Sequence, residues 1–206
     1  MASNVEVDLF CPSCHAVQHL KMPTSVDLGK EPNQQYAILT DSLFTHTCTK
    51  CGTRFQVEHE LVVVHKDAGY ALLLAPDAKE ETSKVDAPKE LAGLKLRLVR
   101  NVNELKEKVL AFENLLDDRT LELCKLYLGL RQEPADQQAT LFFAEHRDGQ
   151  LSFSKLGPTG ELEGMVQIPD SLYLELDAKG KSLETDPEKF QRVDPLWVFG
   201  QIAGSK

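Results

Sequence analysis

Two pairs of cysteines, Cys11-Pro12-Ser13-Cys14 and Cys48-Thr49-Lys50-Cys51, are the residues of this chain whose type and spacing could do chemistry. Thiolate sulfur binds zinc at about 2.3 Å, and two residues between cysteines let a tight turn aim both sulfurs at one point. Two such knuckles complete a closed tetrahedral shell, the arrangement of a zinc ribbon. Pro12 presets its own backbone angle in the first knuckle, and Gly52, after the second pair, can take the positive φ that closes the turn without steric cost. His15 stands in the corresponding place after Cys14 and makes the first knuckle the less ideal of the two. The expected metal ligands are Cys11, Cys14, Cys48 and Cys51, and the expected cofactor is a structural Zn2+.

Other uses of these residues fit less well. A thioredoxin-like pair needs its Cys-x-x-Cys at the start of a helix in a βαβ pattern. Here strand-like alternation flanks both pairs, with Val5, Val7 and Leu9 before the first and Phe55, Val57, Leu61 and Val63 after the second. Disulfides need an oxidising compartment, whereas Met1-Ala2-Ser3-Asn4-Val5-Glu6 has neither basic stretch nor apolar signal core, which predicts a cytoplasmic protein. No apolar run approaches the ~18 residues of a membrane span. His15 and His46 lie near the knuckles but are read as surface or supporting histidines, since four sulfurs already fill the shell. His59 and His65 are six apart instead of the four of a zincin helix; on one predicted strand they would lie about 20 Å apart.

The elements that must position the sulfurs are mostly strands. Residues 16–22 predict the outgoing strand of a first hairpin, 27–35 a polar loop, and 36–43 a short helix or turn leading to the second knuckle. A long strand is expected from Phe55 to about His65, returning as Tyr70 to Ala75. The stretch 76–90 carries too little apolar content to pack and reads as a mobile polar linker. Leu94 to Val99 alternates as a strand. Asn101 can cap a helix bearing Val102, Leu105, Val109, Phe112 and Leu116, and a second helix from about Asp118 is apolar over more than half its circumference, hence buried.

Together these residues resemble the CpXC domain family. The resemblance rests on the Cys-Pro-x-Cys opening, the second Cys-x-x-Cys with its Gly52, and the runs Arg97-Leu98-Val99-Arg100-Asn101-Val102-Asn103-Glu104-Leu105-Lys106-Glu107-Lys108 and Phe112-Glu113-Asn114-Leu115-Leu116-Asp117-Asp118-Arg119. It covers roughly residues 5 to 130. What it implies is a zinc-binding prokaryotic domain whose metal positions here are Cys11, Cys14, Cys48 and Cys51; it implies no reaction.

Beyond residue 132 the pattern is an antiparallel meander of strands at 140–146, 151–155 and 161–168, then short helices from Asp170 and from Asp194-Pro195. Leu196, Phe199 and Ile202 share one side of the last helix while Trp197 points away. Either neighbouring elements or a partner must cover the tryptophan. The expected fold class is α+β: N-terminal zinc-ribbon-like β-hairpins, a helical hairpin and a C-terminal antiparallel β-meander with short helices. Residues 1–131 and 132–206 are the expected domains.

Charge bears on function. The chain has a net charge of −9, and a zinc held by four thiolates adds about −2 more. Nucleic-acid binders present a basic face, so such a partner is disfavoured, although Arg97, Arg100, Lys106 and Lys108 could form a local patch. No P-loop, dinucleotide fingerprint, nucleophile elbow or His-Glu-x-x-His occurs. Asp117 and Asp118 beside Arg119 read as capping and charge pairing, and Cys124 as a buried, inert thiol. The expectation is a non-enzymatic zinc-binding module that binds another protein or itself, with no membrane partner. The alternative is a nucleic-acid-associated or regulatory zinc-ribbon protein.

Overall fold

The computed structural model describes residues 4–79, 81–131 and 139–204. In chain order the elements are β1 (Asn4–Phe10), β2 (Val17–Pro23), β3 (Ser25–Asp27), α1 (Asn33–Leu39), β4 (Thr45–Thr47), β5 (Arg54–Gln56), β6 (Leu61–His65), β7 (Tyr70–Leu74), β8 (Lys84–Asp86), a 3-10 turn (Lys89–Leu91), β9 (Lys95–Val99), α2 (Val102–Glu113), α3 (Asp118–Gly129), β10 (Thr140–Arg147), β11 (Gln150–Leu156), β12 (Leu162–Pro169), α4 (Asp170–Ser182), β13 (Lys189–Gln191) and α5 (Pro195–Ala203). This is the α+β composition expected, with hairpins carrying the cysteines and antiparallel strands toward the C-terminus. No helix of the described residues is long and apolar enough to cross a membrane.

The chain divides into two compact units, residues up to 106 with 187–190, and 107–186 with the remainder from 191. The first holds a six-stranded sheet in the order β3-β6-β7-β9-β13-β8 and the two cysteine-bearing hairpins, β1-β2 and β4-β5. Every residue of β7 is buried, and β6 and β9 flank it in the sheet. Its pairing with β9 is parallel, as is that of β3 with β6. Ala71, Leu73, Leu96, Leu98 and Phe190 form the core on this sheet.

Two expectations are corrected here. Residues 57–60 interrupt the expected long strand, so β5 and β6 are separate and His59 lies in the break. Among its described residues the stretch 76–90 is not an unpacked linker: it contains β8, and Ala78, Val85 and Ala87 pack on the sheet core. The Ala87 N–H donates to the Glu188 carbonyl at 3.0 Å, so a strand from about a hundred residues away holds it. One apolar residue between Lys84 and Asp86 is too short an alternation to announce a strand.

The second unit packs α3 with the three-stranded sheet β10-β11-β12. Compactness thus groups α3 with the meander, whereas the sequence grouped it with the ribbon, because Leu121 and Cys124 bury against Phe143 and Phe153. Asp117 caps α3, its carboxylate accepting from Arg119 N at 3.0 Å. Gly180 of α4 lies against Thr120, where a Cβ would come within 2.8 Å of the Thr120 Cα. The helix approaches that closely only because the side chain is absent.

Inside this unit runs a chain of alternating charges. Lys108 Nζ meets Asp118 at 3.1 Å and Glu122 at 2.8 Å, Lys125 Nζ meets Glu122 at 2.7 Å and Glu107 at 2.9 Å, and Glu107 Oε1 accepts from Phe143 N at 2.6 Å. All five side chains are at most 6 % exposed. Burial alone would depress both lysine pKa values, but the flanking carboxylates hold them above the ordinary range. Burial raises the pKa of Glu107, which Lys125 only partly offsets.

Candidate metal centre

Each cysteine pair sits at the tip of a two-stranded hairpin, and the two tips are built alike. The last strand pairs are Phe10↔Val17 and Thr47↔Arg54. In the first tip Cys11 N donates to Ala16 O at 3.0 Å and His15 N to Cys11 O at 3.0 Å; in the second, Cys48 N donates to Thr53 O at 2.9 Å and Gly52 N to Cys48 O at 3.0 Å. His15 takes φ +56° and Gly52 φ +73°. Histidine therefore adopts the left-handed turn that the sequence assigned more readily to glycine.

The tips face one another. Cys11 Sγ lies 3.7 Å from Cys51 Sγ and Cys14 Sγ 3.7 Å from Cys48 Sγ, and all four sulfurs lie within 4.8 Å of each other. A tetrahedron with bonds of about 2.3 Å has edges of about 3.8 Å, so the two shortest separations already match a zinc-sized shell. Four thiolates with no carboxylate or imidazole form a donor set suited to a soft or borderline cation. Among the described residues this is the only cluster of three or more such ligands. The first cysteine of each pair, Cys11 and Cys48, is buried; Cys14 is half-buried and Cys51 exposed.

Surrounding polar groups favour thiolate at selected sulfurs. The Thr53 hydroxyl lies 3.2 Å from Cys51 Sγ and, with the Thr53 N–H, pulls that thiol down to about 6. Backbone N–H groups of Cys51 and Lys50 lower Cys48. Cys14 is pushed up to about 11: the Ala16 N–H draws it down, but desolvation and the other three sulfurs outweigh that. Cys51 and Cys48 therefore lose their protons before Cys14, and a cation bound among the sulfurs would displace the Cys14 proton.

The family model for CpXC proteins matches residues 9–125. The chain belongs to the CpXC family. The CpXC match begins just before Cys11 and spans all four sulfurs, while the whole of the meander and the helices after it lie outside. No curated protein and no solved structure matches the chain.

Two supporting residues of this CpXC site were not visible in the sequence. Gln18, only 3 % exposed, accepts at Oε1 from Thr49 N at 2.9 Å and from Thr49 Oγ1 at 3.2 Å, so a side chain on the first hairpin grips the tip of the second. Thr53 is the other. A Gln on the strand that leaves a knuckle carries no spacing signal; only the facing of the hairpins gives it a role. His15 and His46 are not in the sulfur cluster. His46 stacks obliquely with Phe55, ring centroids 6.2 Å apart, and burial lowers its pKa. His59 Nε2 is 2.7 Å from the Pro23 carbonyl, and His65 packs edge-on to Tyr70, so neither is directed at a metal.

The candidate basic patch is not formed. Within the first unit Arg97 is 3 % exposed and donates to the Leu96 carbonyl, Arg100 donates to the carbonyls of Lys79 and Thr82, and Lys106 pairs with Asp41 at 2.9 Å. Lys108 is committed to the ion chain of the second unit.

Proposed function

We propose that the chain is a non-enzymatic, structural-zinc module of the cytoplasm that works by binding protein, and that Zn2+ is held by Cys11, Cys14, Cys48 and Cys51. The observation that carries this reading is the all-sulfur shell closed by two equivalent knuckles. Four thiolates leave no coordination position for a substrate or an activated water, whereas catalytic zinc keeps one open. Gln18 and Thr53 then act as outer partners that orient the tips and stabilise thiolate charge. Zinc binding of this type supplies folding free energy, about 10–16 kcal/mol apparent in zinc-finger peptides at neutral pH. The consumption of Arg97, Arg100, Lys106 and Lys108 in internal bonds weighs against a phosphate-binding face.

Cobalt substitution tests both halves. Co2+ in place of zinc should give the absorption of a tetrahedral all-sulfur site, at one ion per chain, unchanged by added imidazole or cyanide. A spectrum that shifts with either ligand would mean an open position and overturn the structural reading. Elemental analysis that finds no zinc in the purified protein, with an unaltered melt after chelation, would overturn the metal.

A further inference from the structure

The two edges of the β10-β11-β12 sheet are treated differently. On β10 the Phe143 N–H is covered by the buried Glu107 carboxylate. On β12, the last strand in the sheet order, Leu162 is 65 % and Met165 54 % exposed, and Glu163, Gln167 and Pro169 are exposed too. An open strand edge is a row of backbone donors and acceptors, and another strand satisfies that row residue by residue.

The groups that face outward follow from the register. Asp170 N donates to Gly149 O at 3.0 Å, which makes 149 and 170 a bonded pair. Bonded pairs recur at every second residue of an antiparallel ladder. Leu151 with Ile168, Phe153 with Val166 and Lys155 with Gly164 are therefore bonded pairs. The amides of Val166 and Ile168 point to β11, and those of Met165 and Gln167 point away from the sheet.

Such an edge is self-complementary about Val166. With a second β12 laid antiparallel, Met165 meets Gln167 of the second copy, Gln167 meets its Met165, and Val166 faces Val166 in a non-bonded pair. Glu163, the only charged residue of the strand, then lies opposite a proline and is held on its own sheet by Lys155 at 3.3 Å. No like charges meet. Edges that avoid pairing carry lysine, a bulge or a central proline; β12 has no lysine, its proline is terminal, and its register shift lies at the Leu162 end. We propose that the β12 edge is a self-association surface, on which β12 of a second copy of this chain adds to form a continuous six-stranded sheet. This names a partner for the protein-binding reading above, on which it rests, and is independent of the metal.

Sedimentation velocity of the zinc-loaded full chain, over two decades of concentration, should show a monomer–dimer equilibrium. Met165→Pro removes an outward N–H without touching the bonds to β11 and should leave monomer throughout, with zinc content unchanged. Should that variant misfold, Met165→Lys places cations on both sides of the two-fold and should weaken the dimer at least tenfold. Val166→Cys should cross-link across the two-fold into a disulfide dimer. A wild type that stays monomeric at the highest concentration, or a dimer that survives both Met165 variants, overturns the proposal. A monomer that binds zinc and a different protein would sink self-association while leaving the module reading standing, whereas a metal-free chain that dimerises through β12 would do the reverse.

Discussion

His15 and Gly52 occupy the same position in the two knuckles, both at positive φ and both donating their N–H to the carbonyl of the first cysteine at 3.0 Å. A left-handed conformation costs a residue with a Cβ about 1–2 kcal/mol. His15→Gly should therefore leave metal binding intact and raise the midpoint of chelator-induced unfolding. Gly52→Ala should lower it by about 1–2 kcal/mol, and purely through the backbone, since no atom lies within 4 Å of the Cβ it would add. Competition with a chromophoric chelator reads both.

Cys124 is separate from the metal cluster, buried among Leu121, Phe143 and Phe153, and burial pushes its thiol up to about 12. In the native protein it should resist alkylation at neutral pH, and react once the chain is unfolded. Cys124→Ala should keep one zinc per chain. Mass spectrometry of alkylated peptides and elemental analysis check the pair of outcomes.

Lys125→Met removes the cation that joins Glu122 to Glu107 and leaves two carboxylates buried without it. Breaking a buried pair from one side costs about 3–5 kcal/mol. The wild-type lysines have folded pKa values above their ordinary one, so the stability they confer is fully present below about pH 10.5 and is lost as pH rises through the folded values. Urea midpoints of wild type and variant should converge at strongly alkaline pH and differ most near neutrality.

Trp197 packs beside Leu123, Leu183 and Val198 in the second unit, so neighbouring elements cover part of its ring. Being half-buried, it should cost about 2–3 kcal/mol on replacement by alanine, below the ~3–5 of a fully enclosed ring. Oligomeric state should not change in Trp197→Ala. The stripe the sequence paired against it, Leu196, Phe199 and Ile202, is the exposed side, at 80, 58 and 36 %.

The site was legible because zinc chemistry fixes ligand type and spacing, and Cys11, Cys14, Cys48 and Cys51 display both. The capped helix starts were legible for a similar local reason: the Asn101 side chain accepts from Glu104 N at 2.9 Å, and Asp194 from Trp197 N at 2.7 Å. What stayed hidden depends on residues far apart in the chain. Phe190 enters a sheet between β9 and β8, which no local alternation announces. Glu107, Lys108, Glu122 and Lys125 look like solvated helix faces until α2 and α3 close over them, since burial of a charge depends on its partner and not on its own pattern.

The ion chain from Asp118 through Lys108, Glu122 and Lys125 to Glu107 crosses between α3 and α2 at three of its four links, Glu122 and Lys125 sharing α3, and it ends on an amide of β10. None of the three elements can lift away singly without stranding a charge in apolar surroundings. Piecemeal fraying of this helix pair is thereby disfavoured, and its amides should exchange with water chiefly when α2, α3 and β10 come apart together. Slow breathing is here a property of charge order.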